Sequence, residues 1–183
     1  MKRWFPAVIL AATALVLAAC HRSGGATGQP VETTQAATPY LNRAQPRLPT
    51  LKLWLGDQEL TTEVARRNVE IFTGMMFRTN LAETEAMLFV FPGPDRRAFY
   101  MRNTQVPLTA AYIAPDGTIL ELHDLKPFDE TPAMSSSANI QFVLEVAQGW
   151  FQRHQITTGT VIRTPHGSLA ELDWRTLRPR VRP

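Results

Sequence analysis

The chain has 183 residues, 44% of them hydrophobic, with 19 Lys and Arg against 16 Asp and Glu and a single cysteine. One thiol excludes a disulfide framework, so any folded domain has to be held together by its core. The near balance of charge removes the net-charge argument for nucleic-acid binding.

Lys2 and Arg3 precede an apolar run from Trp4 to about Leu17, and Leu17-Ala18-Ala19 leads directly into Cys20. This is the order of a secretory signal over residues 1–19, and an apolar run of about 14 residues falls short of the roughly 20 needed to span a bilayer. The chain's one cysteine stands where a bacterial lipoprotein is cut and lipidated, so Cys20 is expected to carry the anchor; the alternative is a plain signal peptide with an incidental cysteine. At about 0.8 kcal/mol per buried methylene, two or more acyl tails hold a protein stably on a membrane without spanning it. His21 follows the cysteine in place of the aspartate that retains enteric lipoproteins at the inner membrane, which makes the outer membrane, facing the periplasm, the default. Loss of Lys2 and Arg3 with the signal leaves 17 basic and 16 acidic residues.

Residues 20–49 are rich in Gly, Ala, Thr, Gln and Pro and show no apolar periodicity. They are expected to form a flexible tether holding the domain roughly 30 Å from the membrane. Residues 50–174 have the length of one domain. In them Leu51, Leu53 and Leu55 alternate with Lys52 and Trp54, and Gly56-Asp57 offers the turn of an opening hairpin whose second strand runs over 58–64. Val69, Phe72 and Met76, with Ile71 and Met75 beside them, fall at helical spacing before Asn80. The apolar run 87–91, bounded by Pro92-Gly93-Pro94, suits a buried strand. Further strands are expected over 98–101, 110–113 and 119–123, the last two joined by the turn Pro115-Asp116-Gly117. A strand over 140–146, a short helix over 149–154 and a closing strand over 160–163 complete the domain. Many short strands with one or two short helices predict an α+β, mainly β fold, a compact single-domain barrel or sandwich. Arg175, Arg178, Arg180 and Arg182 crowd residues 175–183, either as a solvated terminus or as a basic strip against anionic lipid.

An ordered series of segments carries a family resemblance. Gly74-Met75-Met76-Phe77-Arg78, Leu81, Met87-Leu88-Phe89-Val90-Phe91, Phe99-Tyr100-Met101-Arg102-Asn103-Thr104 with Val106-Pro107-Leu108, and Val143-Leu144-Glu145 with Gly149 resemble the domain of unknown function 192 family over about residues 62–161. The resemblance implies a small β-rich domain, often placed behind a signal sequence, with no established activity. Two positions depart from the family pattern: Thr109 stands where an aspartate is usual, and Ala86 where a glycine is usual.

Within these segments six residues are candidates for binding: Arg78, Tyr100, Arg102, Asn103, Thr104 and Glu145. Arg78 can fork onto an anion, or brace the fold by pairing with Glu145 or Glu83. Asn103 and Thr104 can brace a turn, or line a pocket with Tyr100 and Arg102. Alternation puts Glu145 on the face opposite Leu144 and Val146, where a buried carboxyl serves as acid or base or is occupied by an arginine. His123 and Asp124 point to opposite faces of a strand and cannot simply pair.

Ser135-Ser136-Ser137 lacks the context of a nucleophile and reads as a mobile loop. His21, His123, His154 and His166 are too scattered for a metal site. Met75, Met76, Met87 and Met101 offer thioethers to Cu(I) but sit in apolar runs typical of core. Phe99 and Tyr100 beside Arg97 and Arg102 suggest a stacking platform, which an exported location and near-neutral charge oppose. The expectation is therefore no catalytic group, no cofactor or metal and no nucleic acid. Instead the chain reads as a membrane-tethered lipoprotein that binds a small ligand or an envelope partner; a hydrolase of an envelope polymer using Glu145 and a structural or assembly factor are the alternatives.

Overall fold

The structure is a computed structural model that describes residues 38–179. The signal, Cys20, the first part of the tether, Arg180 and Arg182 lie outside the described residues.

Alternation produces the expected hairpin: β1 (Thr50–Leu55) turns at Gly56, where φ is +60°, into β2 (Gln58–Ala65), with Leu53 opposite Leu60. β3 (Glu85–Asp95) then pairs parallel to β2, so the chain has to cross over a sheet face between them, and α1 (Asn68–Thr73) lies in that crossover. The next elements are β4 (Ala98–Phe99), β5 (Leu108–Ile113), β6 (Ile119–Leu125), β7 (Ala133–Met134) and β8 (Ile140–Ala147). α2 (Trp150–Arg153), β9 (Arg163–Thr164), β10 (Gly167–Ser168), a single 3-10 turn at Leu169–Glu171, β11 (Leu172–Asp173) and β12 (Arg178–Pro179) finish the described chain.

Eight of these strands form one mixed sheet in the order β10-β9-β1-β2-β3-β8-β5-β6, while β4 pairs with β7 and β11 with β12 as two small ribbons. The β-rich α+β class is as expected, but the sheet is not closed into a barrel. One isolated bridge, Thr118 to Val161, ties the start of β6 to the approach to β9 and is not extended into a ladder.

Period-2 alternation divides the apolar side chains between two cores, one on each face. Leu53, Leu55, Leu60, Val64, Leu88, Phe142 and Leu144 pack on one face beneath Trp150, Phe151, Ile162 and Leu169. Ala65, Met87, Phe89, Ala110, Tyr112 and Val143 pack on the other against Met75 and Met101. The register sets Glu63, Met87, Glu145 and Ala110 side by side across β2, β3, β8 and β5, which puts two carboxyls in the second layer.

Three sequence expectations change beyond α1, which is the expected short helix, six residues long, although Val69 and Phe72 from its apolar spacing are 38% and 46% exposed. Its start is held instead by Glu70, which accepts the backbone N–H groups of Arg66 and Arg67 and pairs with the Arg67 guanidinium. β3 continues through Pro92-Gly93-Pro94 because its pairing with β8 is interrupted between Val90 and Asp95, where a proline costs no ladder bond. The folded unit also begins before residue 50. Gln45 and Leu48 are buried, Gln45 Nε2 donates to the carbonyls of Glu70 and Gly74 at 3.1 and 2.8 Å, and Leu48 N–H donates to Glu63. Finally, part of the basic tail is ordered, since β12 pairs with β11 and the carbonyls of Trp174 and Arg175 accept from Arg66.

Candidate functional site

The Gly74–Arg78 segment is bent by glycine chemistry. Gly74 has φ +45° and ψ −127°, a conformation essentially closed to residues with a Cβ, and its missing Cβ would lie 3.2 Å from the Phe89 ring. Phe77 follows in a left-handed conformation and donates its N–H to the carbonyl of Asn103, itself left-handed at φ +53°. Two of the segments that carried the family resemblance are thus stitched together over the second sheet face.

Between this lid and the sheet lies a cavity of about 440 Å³, well within the size range of small-molecule sites. Met75, Met76, Phe89, Met101, Thr104 and Glu145 are buried lining residues, whereas Asn68, Phe72, Arg96 and Tyr100 are exposed and mark its mouth. Phe91 and Phe99 add further aromatic wall, with Phe99 edge-on to both Phe89 and Phe91 at centroid distances of 4.9 and 6.4 Å.

Glu145 is the deepest chemical feature of this space. It is 5% exposed, and no hydrogen bond or ion pair to its carboxyl occurs among the described residues. Burial away from water pushes its pKa up to about 8, so the carboxyl is largely protonated at neutral pH. Its neighbours in the row are Met87 and Ala110, neither of which can hydrogen-bond through N–H or O–H of a side chain. Tyr112, two residues along β5 on the same face, directs its hydroxyl to the carbonyl of Ala133 instead.

The six candidate residues separate into two groups. Tyr100, Thr104 and Glu145 line the cavity. Arg78, Arg102 and Asn103 do not. Arg78 pairs with neither Glu145 nor Glu83; its Nη1 and Nη2 reach the two oxygens of Glu63 at 3.0 and 2.9 Å. Glu83 is taken by Arg153 and His154. Arg102 sits over the Tyr100 ring at 5.5 Å and pairs with exposed Glu130. Asn103 serves the lid through its backbone, and Thr104 Oγ1 donates to the carbonyl of Arg102.

Other sequence expectations are corrected in place. Ser135 is buried rather than in a free loop, its hydroxyl accepting the N–H of Arg97 and donating to the carbonyl of Ser137. As alternation requires, His123 does not meet Asp124; it lies 3.0 Å from Glu121, two residues back on the same face. Asp124 instead accepts from Thr109, whose oxygen also receives the N–H of Gly149. Thr109 pairs with Val146, on the face away from Glu145, so this departure from the family pattern does not alter the cavity.

Residues that the sequence reading did not single out are the mouth groups Asn68, Phe72 and Arg96 and the wall residues Arg66 and Phe91. A usable signal existed for one of them: Phe72 is a large apolar residue on a helix too short to bury it.

Comparison with known proteins places this geometry. The sequence matches the family model for domain of unknown function 192, described as an uncharacterized ACR, over residues 52–164. A crystal structure from Sinorhizobium meliloti 1021, described provisionally as a transcription regulator, is 27% identical with a TM-score of 0.63, covering 66% of this chain and 98% of that one. A protein of unknown function from Novosphingobium aromaticivorans DSM 12444 is 30% identical with a TM-score of 0.61, covering 63% and 86% respectively. No curated protein matches.

Proposed function

The chain belongs to the domain of unknown function 192 family, and we propose that within it this protein is a membrane-tethered envelope lipoprotein whose domain binds a small ligand, with Glu145 as the recognition group. One observation carries the binding reading: a buried carboxyl without a hydrogen-bonding partner among the described residues lines a cavity of about 440 Å³. The Glu145 carboxyl opens onto the cavity, and a ligand that hydrogen-bonds it there gains about 0.5–1.5 kcal/mol, or about 1.5–3 kcal/mol if it is charged. The anchoring reading is supported by the sequence around Cys20, and the outer membrane facing the periplasm is its proposed site.

The hydrolase alternative is less well supported. Acid–base cleavage of a glycosidic polymer needs two carboxyls flanking the bond, and among the described lining residues Glu145 is the only carboxyl, with no imidazole beside it. The regulator description given to the S. meliloti protein is not carried over. The α-helices among the described residues have six and four residues, too short for a recognition helix in a major groove. Exposed Phe72 and Tyr100 at the mouth, with Val69 exposed on the same short helix as Phe72, leave room for an envelope protein to dock there, which is the second reading.

The test is a fragment screen by thermal shift on the full chain, run in parallel on Glu145→Gln and Tyr100→Ala. Fragments that raise the melting temperature of the native protein and lose that effect in the variants support the site. A screen without such fragments removes the ligand-binding reading. For the anchor, palmitate labelling that vanishes in Cys20→Ser is the expected result; unlabelled native protein overturns it.

A further inference from the structure

Resting on the reading of the cavity as a ligand site, we propose that its ligand is a small organic cation, an amine or ammonium whose charged head meets Glu145 and whose apolar body lies against the ring and thioether wall. The first support is what the neighbouring cations do. Arg78 is committed to Glu63, Arg97 stacks over Phe91 at 4.1 Å and donates to the carbonyls of Gly93 and Ile140, and Arg66 donates to those of Trp174 and Arg175. The fold thus supplies acceptors for each of these guanidiniums and leaves Glu145 without a cation.

The second support is the wall. Phe89 and Phe99, with the thioethers of Met75 and Met101, line the same space as Glu145, and Phe91, which already carries the Arg97 guanidinium, completes the wall. Aromatic faces attract cations through their negative quadrupole, more strongly where water is excluded, and combine with a carboxylate in binding ammonium groups. A purely apolar ligand would leave that carboxyl without a partner. Arg96, without a side-chain partner among the described residues, stands exposed at the mouth, where salt screens its charge over about 8–10 Å.

Binding of an ammonium group is coupled to protons. The empty site holds Glu145 protonated at neutral pH, and a bound cation favours the carboxylate, so a proton is released. The other charged or titratable groups around it are accounted for. Tyr112 on β5 has its pKa raised by burial and stays neutral, Glu63 on β2 is paired with Arg78 and Arg47, and Arg66, Arg96 and Arg97 are the guanidiniums on the wall.

The experiment is calorimetric titration of the full chain at pH 7 with three probes that share a phenethyl body: phenethylamine, phenethyl alcohol and 3-phenylpropionate. Each is run in buffers of different ionisation enthalpy. The expected result is amine binding at least tenfold tighter than either partner probe, release of close to one proton per site, and at least tenfold weaker amine binding by Glu145→Gln, whose melting temperature shows it folded. Equal or tighter binding of the alcohol or the acid, or unchanged amine binding by Glu145→Gln, overturns the cation and leaves the ligand site standing. If no probe binds while the fragment screen succeeds, the cation is again refuted alone; if both fail, the site reading falls with it.

Discussion

Arg78 forks onto Glu63 through hydrogen bonds of 3.0 and 2.9 Å, and Glu63 lies in the same cross-strand row as Glu145, with Met87 between them. The arginine therefore satisfies one of the two carboxyls in this row and leaves the other facing the cavity. Glu63 also receives Arg47 Nη1 and the N–H of Leu48, each at 2.8 Å. Burial alone would raise its pKa, but the Arg78 fork, the Leu48 N–H and Arg47 together outweigh burial and lower it.

Arg78→Ala leaves Glu63 buried with a weaker set of partners, and breaking one side of a buried pair costs about 3–5 kcal/mol. Because the folded pKa of Glu63 is lowered from 4.5, its contribution is present above that value and lost as pH falls through the folded pKa. Urea melts of the native protein and the variant should differ most at pH 6–7 and converge in acid. A gap that stays constant down to pH 3 would show that the fork does not stabilise through charge.

Glu145 carries the opposite sign. The unfolded carboxyl titrates near 4.5 and the folded one near 8, so between these values the native state binds more protons and stability falls as pH rises. At about 1.4 kcal/mol per tenfold change in proton affinity, Glu145→Gln should stabilise the empty protein by roughly 3–4 kcal/mol at pH 8 and by little at pH 4. Chemical denaturation at the two pH values measures this. A variant less stable than the native protein at pH 8 would mean that the carboxyl is satisfied after all.

Gln45 ties the segment before β1 to the end of α1. Gln45→Ala removes the amide donor held 2.8 Å from the carbonyl of Gly74 and one of the two donors to that of Glu70, which keeps the N–H of Gly74, and should cost about 1–3 kcal/mol. Removing residues 1–49 also deletes Arg47 and Leu48 and should cost more than the point variant. A truncated domain that melts with the full chain would return these residues to the tether.

Gly74→Ala puts a Cβ 3.2 Å from the Phe89 ring at a backbone conformation of φ +45°. Strain of this kind costs on the order of 1–3 kcal/mol, and the displaced ring belongs to the cavity wall. The expected outcome is a lower melting temperature together with weaker retention of any fragment found in the screen. Unchanged values of both would show that the lid can flatten without loss.

How much was legible follows from the range over which each interaction acts. The β1–β2 hairpin, the buried runs of β3 and β8 and the face taken by Glu145 are written as period-2 alternation and a local turn, features that neighbouring residues set between themselves. The family series was equally readable, because its apolar runs, Gly74 and the Asn103 turn are local constraints. Arg78's choice of Glu63 was not readable, since the row Glu63–Met87–Glu145 exists only after a crossover lays β3 parallel to β2 and β8 joins its far side. The helical spacing of Val69, Phe72 and Met76 found the short helix but not its covered side: α1 buries Glu70 and Thr73, with Leu41 N–H donating to Thr73 and Gln45 to the carbonyls of Glu70 and Gly74, so hydrogen bonds to distant segments decide which side is covered. Composition and alternation settle the class of fold and the inward direction of Glu145. Whether that carboxyl meets an arginine or an open cavity depends on strand order and lid docking, long-range pairings whose partners no local pattern names.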